Sequence, residues 1–416
     1  MREGFALPPF PFPLRVGLRA WEALAQVGIG RPDLSEEGLI AAARRNTGLH
    51  HFGSDDFRVP LRRLLRSFEE EADLHLLGRS VMRTATLRAV ECRLRLENLC
   101  DLHPEIEERR VKRPVFITGM QRTGTTKLHR MLSCAPELRF LSSAEALRPT
   151  PLGRPIRDEP GDWERRLREA RIAERGMKYI SPALFAIHPI EAESPEEDVF
   201  LFDVTFVSPA VDASLSVPTY TKWIREIEQK PSHEYVRRLI QLLLWQKPGR
   251  YLGKTPHYQE NLDVLLEVFP DAKIIHTHRD PLKVVPSFAS MMAHTGAMLA
   301  RQVDPREVGR RVADQMLNSV ERGIEARMKA PAGSVLDVHY PALVADPMGQ
   351  MRRIYDFLEL DWTTDAVSRM QTWIGANPQH KYGIHRYGLA DFGLDEGELD
   401  ARFKRYREHF GVEREV

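Results

Sequence analysis

Apolar residues recur every three or four positions along much of the first hundred residues of this chain. Leu61, Leu64, Leu65, Phe68, Ala72 and Leu76 follow this spacing with Arg and Glu between them, which predicts helix over about 60–102. Upstream, Asp33-Leu-Ser-Glu36 has the form of a capping box, in which a short polar side chain and a following Glu satisfy free amides at a helix start. It predicts a helix running to about residue 46. Residues 16–27 show the same period and follow Phe5-Ala-Leu-Pro-Pro-Phe-Pro-Phe-Pro-Leu14, a Pro-rich aromatic stretch. Residues 1–110 therefore read as a helical subdomain.

From Pro114 the pattern changes to short apolar runs alternating with helical periods, the signature of a parallel α/β sheet. The runs predict strands at 115–118, 251–253, 273–277 and 335–339. Helices are expected at 125–134, 261–269, 282–294, 306–328 and 348–358. Residues 149–247 interrupt the alternation, with an Arg/Glu-rich helix at 162–175 and an apolar segment at 180–189. The acidic run Glu191-Ala-Glu-Ser-Pro-Glu-Glu-Asp198 is expected to be a solvated turn and helix start, because blocks of like charge repel and favour water.

Composition adds limits rather than detail. At 416 residues, with 42% hydrophobic and 29% charged residues, the chain can bury a full core. Its net charge of +1 gives no overall attraction to nucleic acid, so any anion site must be local. Cys92, Cys100 and Cys134 form neither an even disulfide framework nor a close metal pair. No apolar run approaches the length of a membrane span, and the first residues lack a secretory pattern, so the protein is expected in the cytoplasm. The N-terminal aromatic segment reads either as an arm packed on the domain or as a contact with lipid or a second subunit.

The chemistry centres on Val115-Phe-Ile-Thr-Gly119-Met-Gln-Arg-Thr-Gly-Thr-Thr126: an apolar run, a glycine, a polar loop and a helix start. Unpaired amides and the positive end of the helix dipole make such a junction a phosphate cradle. The Gly spacing fits a P-loop, but Thr125 stands where a nucleotide triphosphatase carries Lys, and Arg122 lies inside the loop. The stretch resembles the sulfotransferases that use 3′-phosphoadenosine 5′-phosphosulfate (PAPS). Within them it is similar to the bacterial branch with mycobacterial members, whose Arg-Thr/Ser-Gly-Thr-Thr loop is shared with the tyrosylprotein sulfotransferases. A second element, Ala272-Lys-Ile-Ile-His-Thr-His-Arg279-Asp-Pro281 with Ser287 beyond it, also resembles that family. The likeness runs from about Pro114 to about Asp395.

The resemblance implies a P-loop-like, three-layer α/β fold with a central parallel sheet, residues 111–416 forming the sulfotransferase domain behind the N-terminal helical addition. It implies that Gln121, Arg122, Thr123, Gly124, Thr125 and Thr126 hold the 5′-phosphate, with Arg122 also on the bridging oxygen and sulfonate. Arg279 and Ser287 would take the 3′-phosphate, and Lys381, His385 and Tyr387, in a basic aromatic segment near the C-terminus, would close over the donor. Glu145 is the first choice of base, with a helix-start Glu paired to Arg148 as its plainer reading, and His188 is the fallback. Lys254, in Gly253-Lys-Thr-Pro-His257, would touch sulfonate or acceptor. His380 and His385 lack the partners that would complete a metal site, so no metal is expected. The expected reaction is in-line sulfuryl transfer from PAPS, leaving adenosine 3′,5′-bisphosphate. The acceptor is expected to be a hydrophobic small molecule or lipid, with the 149–247 insertion lining its pocket. A P-loop kinase using ATP and magnesium, or a nucleotide- or lipid-binding protein without turnover, are the alternatives.

Overall fold

The computed structural model describes residues 7–153, 161–378 and 387–415. Among these, five strands make one sheet: β1 (Val115–Gly119), β2 (Leu138–Phe140), β3 (Arg250–Lys254), β4 (Lys273–His278) and β5 (Val335–His339). The order is β2-β3-β1-β4-β5, and every neighbouring pair is parallel. β1 lies centrally, with Ile117 opposite Lys254 of β3 and Ile275 of β4. Its side chains alternate between two cores. Val115 and Ile117 pack with Leu252, Ile275 and Val338 under Leu128 and Met131, whereas Phe116 packs with Tyr251 and Ile274 under Leu239, Leu243 and Trp245. Helices on both faces of a parallel sheet give the expected three layers and explain why the central strands are buried along almost their whole length.

The N-terminal helices are α1 (Phe12–Gln26), α2 (Glu36–Thr47), α3 (Arg58–Glu70), α4 (Leu76–Leu102) and the short α5 (Glu105–Glu108). The helix expected over 60–102 is thus two helices. Asp73 takes a left-handed conformation with φ 43°, the backbone of residues 73–75 bonds to residues 299–301, and His75 Nδ1 caps the new start by accepting from the Gly78 amide. Periodicity continues across this break because both helices face one core. The cap of α2 is also displaced from expectation: Ser35 accepts from the Gly38 amide, while Asp33 accepts from Ser35. Apolar residues of α2–α4 share a core with Phe206, Val217, Tyr220 and Ile224 from the insertion. No residue of α1 is buried, and Phe12, Val16 and Leu24 are exposed. No helix among the described residues is long and apolar enough to cross a membrane.

After β1 comes α6 (Thr125–Leu132), then β2, α7 (Ser143–Leu147), α8 (Asp162–Ile180), α9 (Pro182–Ile187) and α10 (Val199–Asp203). Later helices that position the site are Pro281–Ala297, directly after β4, and Tyr340–Ala345, directly after β5. Chain connections thus place the C-terminal ends of β1, β3, β4 and β5 along one edge, where ligands bind in parallel α/β sheets.

Candidate active site

The loop between β1 and α6 is held by close backbone approach. Gly119 has φ 126°, and a Cβ there would lie 2.3 Å from the Thr277 carbonyl oxygen, so only glycine lets β1 and β4 meet. Thr123 Oγ1 donates to the Met120 carbonyl at 2.6 Å and shares a 2.6 Å hydrogen bond with Thr277 Oγ1, fixing the loop to β4. Gly124 has φ 87°, and a Cβ there would meet the Tyr340 ring at 2.9 Å. Thr125 and Thr126 open α6, whose first-turn amides have no intrahelical acceptor, an arrangement that favours an anion. Gln121 is half-buried at the start of this loop.

Arg122 has φ 68°, a left-handed conformation that costs a side-chain-bearing residue on the order of 1–2 kcal/mol. Its side chain reaches across the site. Nε donates to Ser287 Oγ at 3.1 Å and Nη1 to the Ile187 carbonyl at 3.3 Å. Arg279 Nη1 donates to the Arg122 carbonyl at 3.1 Å, and its guanidinium lies 3.8 Å from the centre of the Tyr340 ring. Two donors of Arg279 grip Glu415 at 2.9 and 3.0 Å. Asp280 completes the corner: one carboxylate oxygen caps the following helix through the Leu282 amide and the other accepts from the Glu415 amide, both at 2.9 Å. Burial pulls Arg122 below its ordinary range, yet a guanidinium keeps its charge throughout the physiological range. The loop, Arg279 and Ser287, expected from separate stretches of sequence, are therefore brought together.

Glu145 is placed differently from its expected role as base. It is buried at the third position of α7, where one oxygen accepts from the Ser142 amide at 3.0 Å and the Ser142 hydroxyl at 2.7 Å. The other oxygen pairs with Arg139 of β2. Its contacts are those of a capping box and a buried ion pair, which hold β2 against α7. The expected pairing with Arg148 is also absent from these contacts, since Arg148 pairs with Glu91 and Glu169.

The carboxylates that gather around Lys254 and His188 come from the run expected to be solvated. Glu196 and Asp198 are buried, because the apolar α10 follows directly and draws the run inside. Lys254 at the end of β3 is buried and donates to Glu197 at 2.5 Å. His188, one residue beyond the carbonyl that accepts from Arg122, places Nε2 3.8 Å from Glu196 Oε1. Burial raises the Glu196 carboxyl, but His188, Lys254 and the Glu197 amide together bring it down to about 2. Asp198 accepts from Tyr251 and Tyr258 at 2.7 and 2.8 Å, and burial outweighs those bonds, pushing it up to about 7. The available sequence signal was juxtaposition: three consecutive acids immediately precede Val199-Phe-Leu-Phe, so a helix buried by its apolar side carries them inward.

Two further expectations concern residues beyond this cluster. Lys381 and His385 lie outside the described residues, as does His380. Tyr387 is partly exposed, and its phenol is within electrostatic reach of Arg122 and Arg279. Behind Arg279, His276, His278 and Asp337 bring ligand-type atoms within 4.8 Å of one another. Their contacts are those of a brace. His278 Nε2 meets Asp337 at 3.0 Å, His276 Nε2 meets Gln259 at 3.0 Å, Arg327 takes the other Asp337 oxygen at 3.4 Å, and Phe410 stacks on His278.

Comparison with known proteins agrees with this geometry. A profile described as the sulfotransferase family matches residues 114–364, spanning the loop, Lys254, Arg279 and Ser287. The chain belongs to the sulfotransferase family. This sulfotransferase is 25% identical over 279 residues to the omega-hydroxy-beta-dihydromenaquinone-9 sulfotransferase Stf3 of Mycobacterium bovis, covering 64% of this chain and 68% of that one. Among solved structures it resembles sulfotransferase STF9 from Mycobacterium avium, with TM-score 0.81 and 27% identity over 92% of this chain and 98% of that one. It also resembles STF1 from Mycobacterium tuberculosis, with TM-score 0.78 and 30% identity over 90% and 99%. The mycobacterial likeness read from the loop is thus met in both sequence and fold, and the family assigns sulfuryl transfer rather than the kinase chemistry weighed against it.

Proposed function

We propose that this sulfotransferase moves the sulfuryl group of PAPS to the hydroxyl of a hydrophobic acceptor. The observation that carries the reading is Arg122, which lies in the 5′-phosphate loop and reaches the Ser287 hydroxyl, joining the two phosphate positions of the donor. The loop amides with Thr125 and Thr126 hold the 5′-phosphate, and Arg279 with Ser287 holds the 3′-phosphate. Arg122 offers its fork to the bridging oxygen as charge collects there, and Lys254 faces the transferred sulfonate once it exchanges Glu197. His188, oriented by Glu196, takes the acceptor proton in place of Glu145. The acceptor oxygen bonds to sulfur as the bond from sulfur to the bridging phosphate oxygen breaks, the proton passes to His188, and adenosine 3′,5′-bisphosphate leaves with the electron pair. Residues 1–110 act in this reading as a helical addition that helps to enclose the acceptor. The name of the mycobacterial relative, which acts on a hydroxylated menaquinone, supports a lipid-like acceptor. The uncovered apolar residues of α1 support a peripheral contact with the lipid surface that would supply it.

Calorimetric titration with adenosine 3′,5′-bisphosphate, beside AMP and beside ATP with magnesium, tests the donor. Tight binding of the bisphosphate alone is expected. No preference over AMP, or binding only to ATP with magnesium, would overturn the reading.

A further inference from the structure

A cavity of about 230 Å³ lies between α4 and α8, lined mainly by apolar atoms. α4 contributes Ala85, Ala89 and Cys92, and α8 contributes Ala170, Ala173 and Met177. These spacings of three, four and seven residues put each trio on one helical face, so two faces of small or flexible side chains stand opposite each other. Ala85 and Ala173 are exposed, whereas Ala89, Cys92 and Ala170 are buried. The cavity therefore runs inward from a mouth between the helices. Its wall also includes Ser143 and Glu196, joined at 3.3 Å, and Glu196 is the carboxylate beside His188. Of the other charged lining groups, Arg88 faces Glu169 at 3.9 Å, Glu174 is occupied by Lys178 and the Ala192 amide, and Asp203, at the end of α10, has its carboxyl pushed up to about 6 by burial.

We propose that this cavity is the seat of the acceptor's aliphatic chain, which enters between Ala85 and Ala173 and presents its terminal hydroxyl at the His188–Glu196 pair. A mainly apolar channel whose charged groups at the mouth, Arg88 and Glu174, already have partners suits a single unbranched or prenyl-type chain and offers a sugar few free partners. The alanines set the width, since larger side chains at these positions would narrow the opening against a chain long enough to lie in it when bound. The placement of the hydroxyl rests on the sulfuryl-transfer reading, and the seat for the chain does not.

The test uses a series of unbranched primary alcohols from hexanol to dodecanol, with wild type and the double variant Ala85→Phe, Ala173→Phe. Both positions are exposed, so the added rings narrow the mouth without crowding a core. In wild type, kcat/KM should rise about fourfold for each methylene that enters the cavity. In the variant the rise should flatten, with dodecanol losing about tenfold or more while hexanol and bisphosphate affinity stay near wild type. An unchanged chain-length profile in the variant overturns the proposal. Calorimetric binding of decanol separates the two readings. Decanol binding that the variant loses, without turnover of any alcohol by wild type, supports the cavity and counts against sulfuryl transfer to alcohols. A wild type that binds no decanol overturns the cavity assignment.

Discussion

Arg122 Nε donates to Ser287 Oγ across 3.1 Å, tying the phosphate loop to the helix that follows β4. The same arginine sits at φ 68°, a backbone conformation that glycine adopts without cost. Strain held at the residue that we propose to act on the bridging oxygen separates its stability role from its chemical role. Arg122→Gly relieves the strain but gives the unfolded chain more freedom, so unfolding free energy should stay within about 1 kcal/mol of wild type. Turnover should fall roughly 10²–10³-fold. Thermal melting beside steady-state kinetics checks both. A variant that unfolds much more easily would show that the side-chain contacts of Arg122 outweigh its strain, and one that keeps wild-type turnover would remove Arg122 from the transition state.

Glu145 and His188 should give opposite phenotypes. Removing one partner of a buried ion pair leaves the other uncompensated, so Glu145→Ala should destabilise the fold by about 3–5 kcal/mol through Arg139. Turnover per folded molecule should change little. His188→Ala should leave melting and bisphosphate affinity intact and lower kcat by roughly 10²–10⁴-fold, the usual worth of a positioned base. If instead Glu145→Gln melts like wild type and is inactive, the base assignment moves back to Glu145.

Arg279 grips Glu415 with two donors, and a 3′-phosphate on the same fork must displace or share that carboxylate. Arg279→Ala should weaken adenosine 3′,5′-bisphosphate binding by roughly 10–100-fold, within the range for hydrogen bonds to charged groups, while AMP binding is unchanged. Glu415→Ala should strengthen bisphosphate binding by removing the competitor. Calorimetry on the two variants decides the matter: weaker binding in Glu415→Ala would make the pair an orienting bridge instead.

The difference between Glu145 and the 191–198 run shows where the sequence was readable. The shape of the loop could be read because it lies in backbone geometry, which Gly119 and Gly124 announce at fixed spacing. Likewise Arg279 and Ser287 follow one apolar run directly, so strand and helix periods place them. A carboxylate's role depends on its tertiary partners, and nothing in the residue pattern signals that Arg139, six residues before Glu145, pairs with it. Nor does local charge density reveal burial, because α10 pulls Glu196 and Asp198 inward through apolar residues on their C-terminal side. The division at Asp73 escaped for a related reason: one apolar period served two helices packed on the same core.

Asp198 should make stability fall as pH rises through the mildly acid range, opposite to an ordinary paired carboxylate. Burial, the leading cause, pushes its folded pKa up to about 7 from the ordinary 3.8 of a free aspartate. Between those values the native state holds a proton that the unfolded chain has released. The contribution is full below about pH 4, declines toward pH 7 and is lost above it. Glu196 works in the other direction and in another window: its stabilisation is present above about pH 4.5 and is lost as pH falls toward 2. Asp198→Asn keeps a neutral group between Tyr251 and Tyr258 and removes only the first effect. Denaturant unfolding of wild type and variant at pH 5 and pH 7.5 should therefore show wild type losing on the order of 2–3 kcal/mol more than the variant over that interval. Parallel pH profiles for the two proteins would mean that Asp198 stays ionised between its two tyrosines.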